Sequence, residues 1–343
     1  MKRIGIIGHL GDSLDGQTVK TKIFTEELKG IYSSNDIDQV DLYGGVKRMI
    51  LFKVFLLLKN SRNIIIFPAH NAVRVLGPFL AFLNIFFNRT LHYVVIGGWL
   101  PQFLYTRKWL LKSLLKFDYL YVETSTMKHE LEKLGFTNVV ILPNCKNIKR
   151  LDESQMKKSY KEPYPLCTLS RVNFKKGIED AIKVVKTVNE RYGRIVYTLD
   201  IYGPIAEDYM DRFESIMSES PDYISYKGTV DFDKTVEVLK DYFALLFPTH
   251  YFTEGIPGTI IDSYAAGLPV ISARWESFSD LVEDGVVGIG YEFDNFEQFN
   301  EILLRVATNP QEFTNMKKSC LILSENFTSE TVVARMKNYI KDI

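Results

Sequence analysis

Short apolar runs alternate along the chain with amphipathic stretches, a pattern that predicts parallel strands buried on both faces and separated by helices. The first run, residues 3–7, opens into a glycine-bearing loop, Gly8 to Thr18, and then into a helical pattern through Leu28. Further strand-like runs are 63–67, 92–96, a segment ending at Val122, 139–142, 166–169, 197–202, 224–227, 244–248 and 269–272. Helical patterns cover 46–59, 104–117, a stretch stopped by Gly135, and 234–242, 296–308 and 328–340. The polar segment from Lys146 to Pro165 reads as a linker. The expectation is an α/β chain with two doubly wound, Rossmann-like domains, at 1–155 and 163–327, followed by a helical segment at 328–343.

Charge sharpens that division. Over 343 residues, 42 basic side chains balance 42 acidic ones, yet residues 1–160 carry 23 against 13 and the remainder 19 against 29. The basic half could face an anionic membrane surface or a phosphate-bearing acceptor, or attract the acidic half across a cleft. Two of its segments, 46–59 and 104–117, fit a basic amphipathic helix on a bilayer and equally a surface helix with its apolar side buried. In the second, Lys108, Lys112 and Lys116 lie opposite Leu110, Leu111, Leu114 and Leu115, with Trp109 beside them. The longest apolar stretch, 75–87, is short and contains Pro78 and Asn84, so no spanning helix is expected. Cys145, Cys167 and Cys320 are odd in number and widely spaced, which argues for a reducing compartment and against a zinc site. With no signal-peptide pattern at the N-terminus, a cytoplasmic protein is expected, peripheral on the inner face of the membrane if the basic helices bind lipid. No nucleic-acid partner is expected.

The densest candidate chemistry lies between Thr249 and Ser272. A buried strand end leads to a loop with Glu254, then Gly255, Ile256, Pro257 and Gly258, and into a helix carrying Thr259 and Asp262. Gly255 and Gly258 allow close backbone approach, Pro257 suits a helix start, and the free amides there attract an anion. Carboxylates beside an anion site would repel the anion unless they accept from hydroxyls. A sugar carrying phosphate satisfies both requirements. Earlier, the strand at 166–169 delivers Arg171 and Lys176-Gly177, two cations at a strand's carboxyl end. The strands 197–202 and 224–227 end in Gly203 and in Gly228-Thr229-Val230. Asp231-Phe232-Asp233 matches a D-x-D metal motif, but Asp233 as N-cap of the following helix is the more economical account. The first loop lacks G-x-G-x-x-G, which counts against a dinucleotide dehydrogenase. Gly97-Gly98-Trp99 marks another carboxyl edge, and neither His70 nor His92 is assigned as a catalytic base.

The stretch from Glu254 to Asp262, continued by Ala265-Ala266-Gly267-Leu268-Pro269-Val270-Ile271, resembles the E-x7-E signature of the family 4 retaining glycosyltransferases of the GT-B type. Asp262 stands where that family usually has Glu, with the same charge and a shorter reach. The resemblance implies a GT-B fold of two facing domains around an interdomain cleft, the last helix crossing back onto the first domain. It implies a nucleotide-sugar donor and a glycan or lipid-linked acceptor, as in surface polysaccharide assembly; with Asp233 read as a cap, no metal or other cofactor is expected. Glu254 would orient the transferred sugar, Arg171 and Lys176 would hold the donor diphosphate, and Asp262 the ribose. Gly16, Gly203, Val230, Gly255, Ile256, Gly258 and Thr259 would line the donor site. A sugar-nucleotide epimerase of the same architecture, or a catalytically silent partner subunit, would share these features.

Overall fold

The computed structural model describes residues 1–11, 16–43 and 47–342. The chain divides into two compact units, Met1–Asn147 with Phe327–Ile343, and Ile148–Asn326. The first begins with β1 (Lys2–Gly8), α1 (Gly16–Ile31), β2 (Ile37–Asp41), α2 (Lys47–Asn60), β3 (Ser61–Ile66) and α3 (His70–Phe87). It continues through β4 (Thr90–Val94), α4 (Leu100–Tyr105), α5 (Lys108–Leu114), β5 (Tyr119–Val122), α6 (Ser125–Lys133) and β6 (Val139–Ile141). All strands of its sheet are parallel, in the order β2-β1-β3-β4-β5-β6. Successive strand residues point to opposite faces, so the sheet feeds two cores. Ile7, Ile64, Ile66 and Tyr93 pack with α2, α3, α5 and α6 on one side. Ile4, Ile6, Ile65 and Val94 pack with α1 and the last helix on the other.

The second unit holds β7 (Tyr164–Leu169), α7 (Ile178–Tyr192), β8 (Tyr197–Tyr202), α8 (Met210–Ser218), β9 (Ile224–Gly228) and α9 (Thr235–Leu239). Then follow β10 (Ala244–Phe247), α10 (Gly258–Ala265), β11 (Val270–Ala273), β12 (Gly288–Tyr291), α11 (Phe296–Thr308) and α12 (Gln311–Ser324). Its parallel sheet runs β12-β11-β10-β7-β8-β9. The chain lays β8 and β9 to one side of β7, then returns to place β10 on the other. That reversal makes the carboxyl ends of β7 and β10 the switch point where ligands of such sheets bind. The final helix, α13 (Ser329–Met336), belongs to the first unit, where Ser329 donates to Glu27 of α1 at 2.5 Å.

Several expectations need correction. The helix at 104–117 is two helices, because Arg107 leaves helical geometry and its guanidinium turns back over Phe103, 3.9 Å from the ring, to bond the Phe103 carbonyl. Asp233 does not cap α9; residues 231–234 close a turn, with Lys234 Nζ 2.8 Å from Asp231, and Lys234 itself occupies the cap position. The last helix ends at Met336 and continues as a 3-10 turn, Lys337–Tyr339. The supposed linker is docked: Leu151 donates to the Ala265 carbonyl at 2.8 Å and Arg150 to that of Leu321 at 3.1 Å. Helix α3 starts at His70, earlier than the apolar stretch suggested, and at 18 residues is long and apolar enough to cross a membrane by length and composition alone. Its Val73, Leu76 and Leu80 are nevertheless built into the core of the first unit.

Two of the buried lysines, Lys20 and Lys317, bear on stability in opposite ways. Lys20 on α1 pairs with Glu123 after β5 at 2.7 Å, both nearly inaccessible. Removing one partner strands a buried charge, whereas replacing both with apolar groups does not. Lys20→Met should therefore lower unfolding free energy by about 3 to 5 kcal/mol in denaturant titration, and Lys20→Met/Glu123→Leu should recover most of the loss. Lys317 on α12, beside Tyr160 and the Tyr242 carbonyl, is pushed down from 10.5 to about 8, chiefly by burial. A folded-state lysine pKa below the unfolded value means the unfolded chain binds the extra proton between pH 8 and 10.5. Stability then rises with pH across that window, and below it the penalty is fully present. Lys317→Met should raise the melting temperature at pH 7, by up to on the order of 3 kcal/mol in stability, and lose that advantage as pH climbs through the window.

Candidate functional site

The site is built on the β7 and β10 ends of the second unit. After β7, Asn173 accepts from the Lys176 amide at 3.1 Å and shapes a single 3-10 turn, Phe174–Lys176. Gly177 then adopts φ +66° and opens α7. A Cβ there would lie 1.7 Å from the Pro248 carbonyl oxygen after β10, so glycine is required for the two loops to touch. The same contact is secured by the His250 amide donating to the Lys175 carbonyl at 2.8 Å. Gly203, at the end of β8, has φ +129° and would place a Cβ 1.8 Å from the Ser170 carbonyl oxygen. Three strand ends thus meet backbone to backbone.

That closeness brings Lys176 and Glu254 into direct contact, ammonium on carboxylate, across 78 positions of sequence. Both are mostly covered, with 20% and 14% of their side chains exposed, so water screens the pair less than a surface pair. Glu254 also accepts from the Thr249 hydroxyl at 3.1 Å, which orients its carboxylate. The Lys176 ammonium lies 5.6 Å from the centre of the Phe247 ring. Helix α10 begins beside them at Gly258 after Pro257, with no side chain capping its start. Its first amides are the unsatisfied donors of any helix end, carrying partial positive charge. Thr259 bonds the Leu169 carbonyl and so ties this helix start to β7. Ile256 is buried and holds the loop, while the Gly255 carbonyl accepts from the Trp275 indole at 3.2 Å.

The remaining expected residues are distributed as follows. Arg171 is exposed one residue after Ser170, at the same sheet edge. Asp262, two turns inside the signature, is buried at 3% exposure. Val230 is half-buried after β9. Gly16 is exposed at the start of α1 in the other unit, and the preceding part of its loop, residues 12–15, lies outside the described residues. His92 is a core residue of β4, bonded to Tyr121 at 3.0 Å, and burial pushes its pKa down to about 3. His70 stacks on Trp99 with ring centres 3.8 Å apart, and burial followed by the Arg107 charge lowers its pKa.

Sequence reasoning missed a clamp beside the site. His250 lies between Asp294, 2.6 Å from Nδ1, and Asp180 of α7, 3.0 Å from Nε2, and stacks on Phe174. Burial raises the Asp180 pKa, with His250 opposing the shift. The clamp fastens the Glu254 loop to α7 and to the loop after β12. Its members are 44 and 70 positions apart, so no local pattern announces it. The asparagine at 173, by contrast, could have been found as a cap three residues before an amide it serves.

Two cations after β7, an uncapped helix start and a carboxylate-bearing loop thus meet at the switch point of a doubly wound sheet. The chain belongs to the family described as glycosyl transferases group 1, whose model matches residues 149–320. It is 24% identical over 180 residues to the amylovoran biosynthesis glycosyltransferase AmsK of Erwinia amylovora, covering 51% of this chain and 42% of that protein. A 41.2 kDa protein of unknown function in the cps region of Klebsiella pneumoniae is also 24% identical, covering 53% of this chain and 46% of its own. The chain thus spans about half the length of the curated relatives it matches. Among solved structures, Anabaena Alr3699/HepE in complex with UDP superposes with a TM-score of 0.75 over 99% of both chains at 13% identity. The lipopolysaccharide outer core galactosyltransferase WaaB does so with 0.73 over 99% of both at 16% identity. These similarities establish the GT-B fold.

Gly177→Ala tests the backbone approach on which the site depends. The variant should lose about 1 to 3 kcal/mol of stability in denaturant titration, since both the positive φ and the Pro248 carbonyl oppose a Cβ. Gly193, also at positive φ but with open space around it, should give a smaller loss on the same substitution.

Proposed function

We propose that this chain is a retaining glycosyltransferase that moves a sugar from a nucleoside-diphosphate sugar to a hydroxyl of a glycan or lipid-linked acceptor in polysaccharide assembly. The observation that carries the reading is the Lys176–Glu254 pair at the switch point of β7 and β10, beside the uncapped start of α10. An ammonium already aimed at a carboxylate suits a diphosphate equally well. When the diphosphate takes over Lys176, Glu254 is released to accept from hydroxyls of the transferred sugar. Uridine is the first base to test, because the solved relatives Alr3699/HepE and pneumococcal GtfA are complexes with UDP.

In the reaction, the bond between the anomeric carbon and the diphosphate oxygen breaks with its electrons going to the oxygen. Arg171, Lys176 and the amides of Gly258 and Thr259 stabilise the charge that develops there, a role worth about a hundredfold in rate for each such donor. The acceptor hydroxyl bonds to the same face of the sugar, and its proton passes to the departing phosphate. Asp262 is assigned to the ribose, and Gly203 and Val230 to the base. Charge neutralisation is assigned to these side chains and amides rather than to a metal ion.

The test is thermal stabilisation by UDP-, GDP-, ADP-, dTDP- and CMP-sugars, followed by donor hydrolysis and transfer assays. One nucleotide family should stabilise the protein, and Lys176→Ala and Arg171→Ala should weaken that stabilisation and slow transfer by about a hundredfold. No stabilisation of well-folded protein by any of them would overturn the reading. Interconversion of the donor without an acceptor would replace it with an epimerase.

A further inference from the structure

The layer of helices over one face of the first sheet has an unusual outer surface. Helix α2 exposes Met49 and Phe52, and α3 exposes Val75, Phe82, Ile85 and Phe86, the last three by 60%, 65% and 71%. Positions 75, 82 and 86 share one side of α3, and 49, 52 and 56 share one side of α2. The rings of Phe55 and Phe87 meet edge to face at 5.7 Å, so the two helices lie side by side. Helix α5 packs against α3 through Gly77, close to Leu110 and Leu114, and adds exposed Trp109. Isolated apolar side chains on a surface need no explanation, but a run of large ones on adjacent helices does.

Charge indicates what covers this face. Between Asp41 and Asp118 the sequence has no acidic residue and eleven lysines and arginines. They include Lys53 on α2, Arg74 on α3, and Lys108 and Lys112 on α5, interleaved with the apolar positions. A second copy of this chain docked through the same face would oppose cations to cations. An anionic bilayer offers negative headgroups to the lysines and arginines and an acyl boundary to the phenylalanines. Spanning is not the geometry, since the inner side of α3 (Val73, Leu76, Leu80) is part of the protein core. We infer that the α2–α3–α5 face is a docking surface for an anionic phospholipid bilayer, with Phe82, Ile85 and Phe86 entering the headgroup–acyl boundary.

The inference rests on this surface and is independent of the transferase reading, so its test uses no activity. The 343-residue protein is sedimented with phosphatidylcholine vesicles and with vesicles containing about a third phosphatidylglycerol, at low and high salt. The expected result is binding to the anionic vesicles only, reduced by salt. Phe82→Ser/Phe86→Ser and, separately, Arg74→Glu/Lys112→Glu should each weaken binding about tenfold or more. Neither variant touches Arg171, Lys176, Glu254 or Asp262 of the proposed donor site, so stabilisation by nucleotide should persist in both if that reading also holds. Absence of binding, equal binding to neutral and anionic vesicles, or unchanged binding by Phe82→Ser/Phe86→Ser would overturn the inference. So would a concentration-dependent dimer in analytical ultracentrifugation that the same double variant abolishes, since the face would then be a self-association surface.

Discussion

The candidate site depends on the near-collision of two loops. Because β10 returns to the side of β7 left open when the chain laid down β8 and β9, two strand ends distant in sequence become neighbours. Gly177 lets the first loop press against the Pro248 carbonyl, and the His250 amide bonds the Lys175 carbonyl at the same place. With the backbones this close, the side chains of residues 176 and 254 have little choice but to meet. Their ion pair follows from the topology, and Asn173, Thr249 and the His250 clamp fix its orientation.

Burial decides how that pair behaves. An exposed lysine–glutamate pair contributes little and is screened by salt. Lys176 and Glu254 are partly withdrawn from water, with the ring of Phe247 beside the ammonium, yet both keep some exposure. Lys20 and Glu123 show the contrasting case: both are almost wholly inaccessible, and the pair joins α1 to the end of β5. The two pairs have the same chemistry, and accessibility separates a structural role from one open to substrate.

Much of this was legible in sequence because buried parallel strands announce themselves as apolar runs. Tyr197–Tyr202 and Phe296–Thr308 have the bounds read from the pattern alone. The missed strands have reasons. In β2 only Ile37 and Val40 are buried, so the edge strand lacks a continuous apolar run. In β12, Gly288 and Gly290 stand where a Cβ would strike the Val270 carbonyl and the Phe278 ring, so crowding from neighbours removed the β-branched residues that mark a strand. The Glu254 loop and the Arg171 and Lys176 positions could be picked out as candidate chemistry by residue type and spacing. What could not be read was that Lys176 touches Glu254 or that Asp180 and Asp294 hold His250, because such contacts depend on strand order.

The charge division between the halves also acquires a location. Read as composition, an excess of cations in the first 160 residues fits a membrane, a phosphate-bearing acceptor or an acidic partner domain equally well. In the fold, the acid-free run from 42 to 117 forms the α2, α3, α4 and α5 layer together with β3 and β4, while the opposite side of the sheet carries the mixed charges of α1 and α13. A long-range role in steering a small anionic donor would not require the cations to be interleaved with exposed phenylalanines. Nor would attraction to an acidic surface favour leaving Phe82, Ile85 and Phe86 in water. The coincidence of positive charge and large apolar side chains on one layer is what discriminates among the three, and it favours a surface that is itself both anionic and apolar.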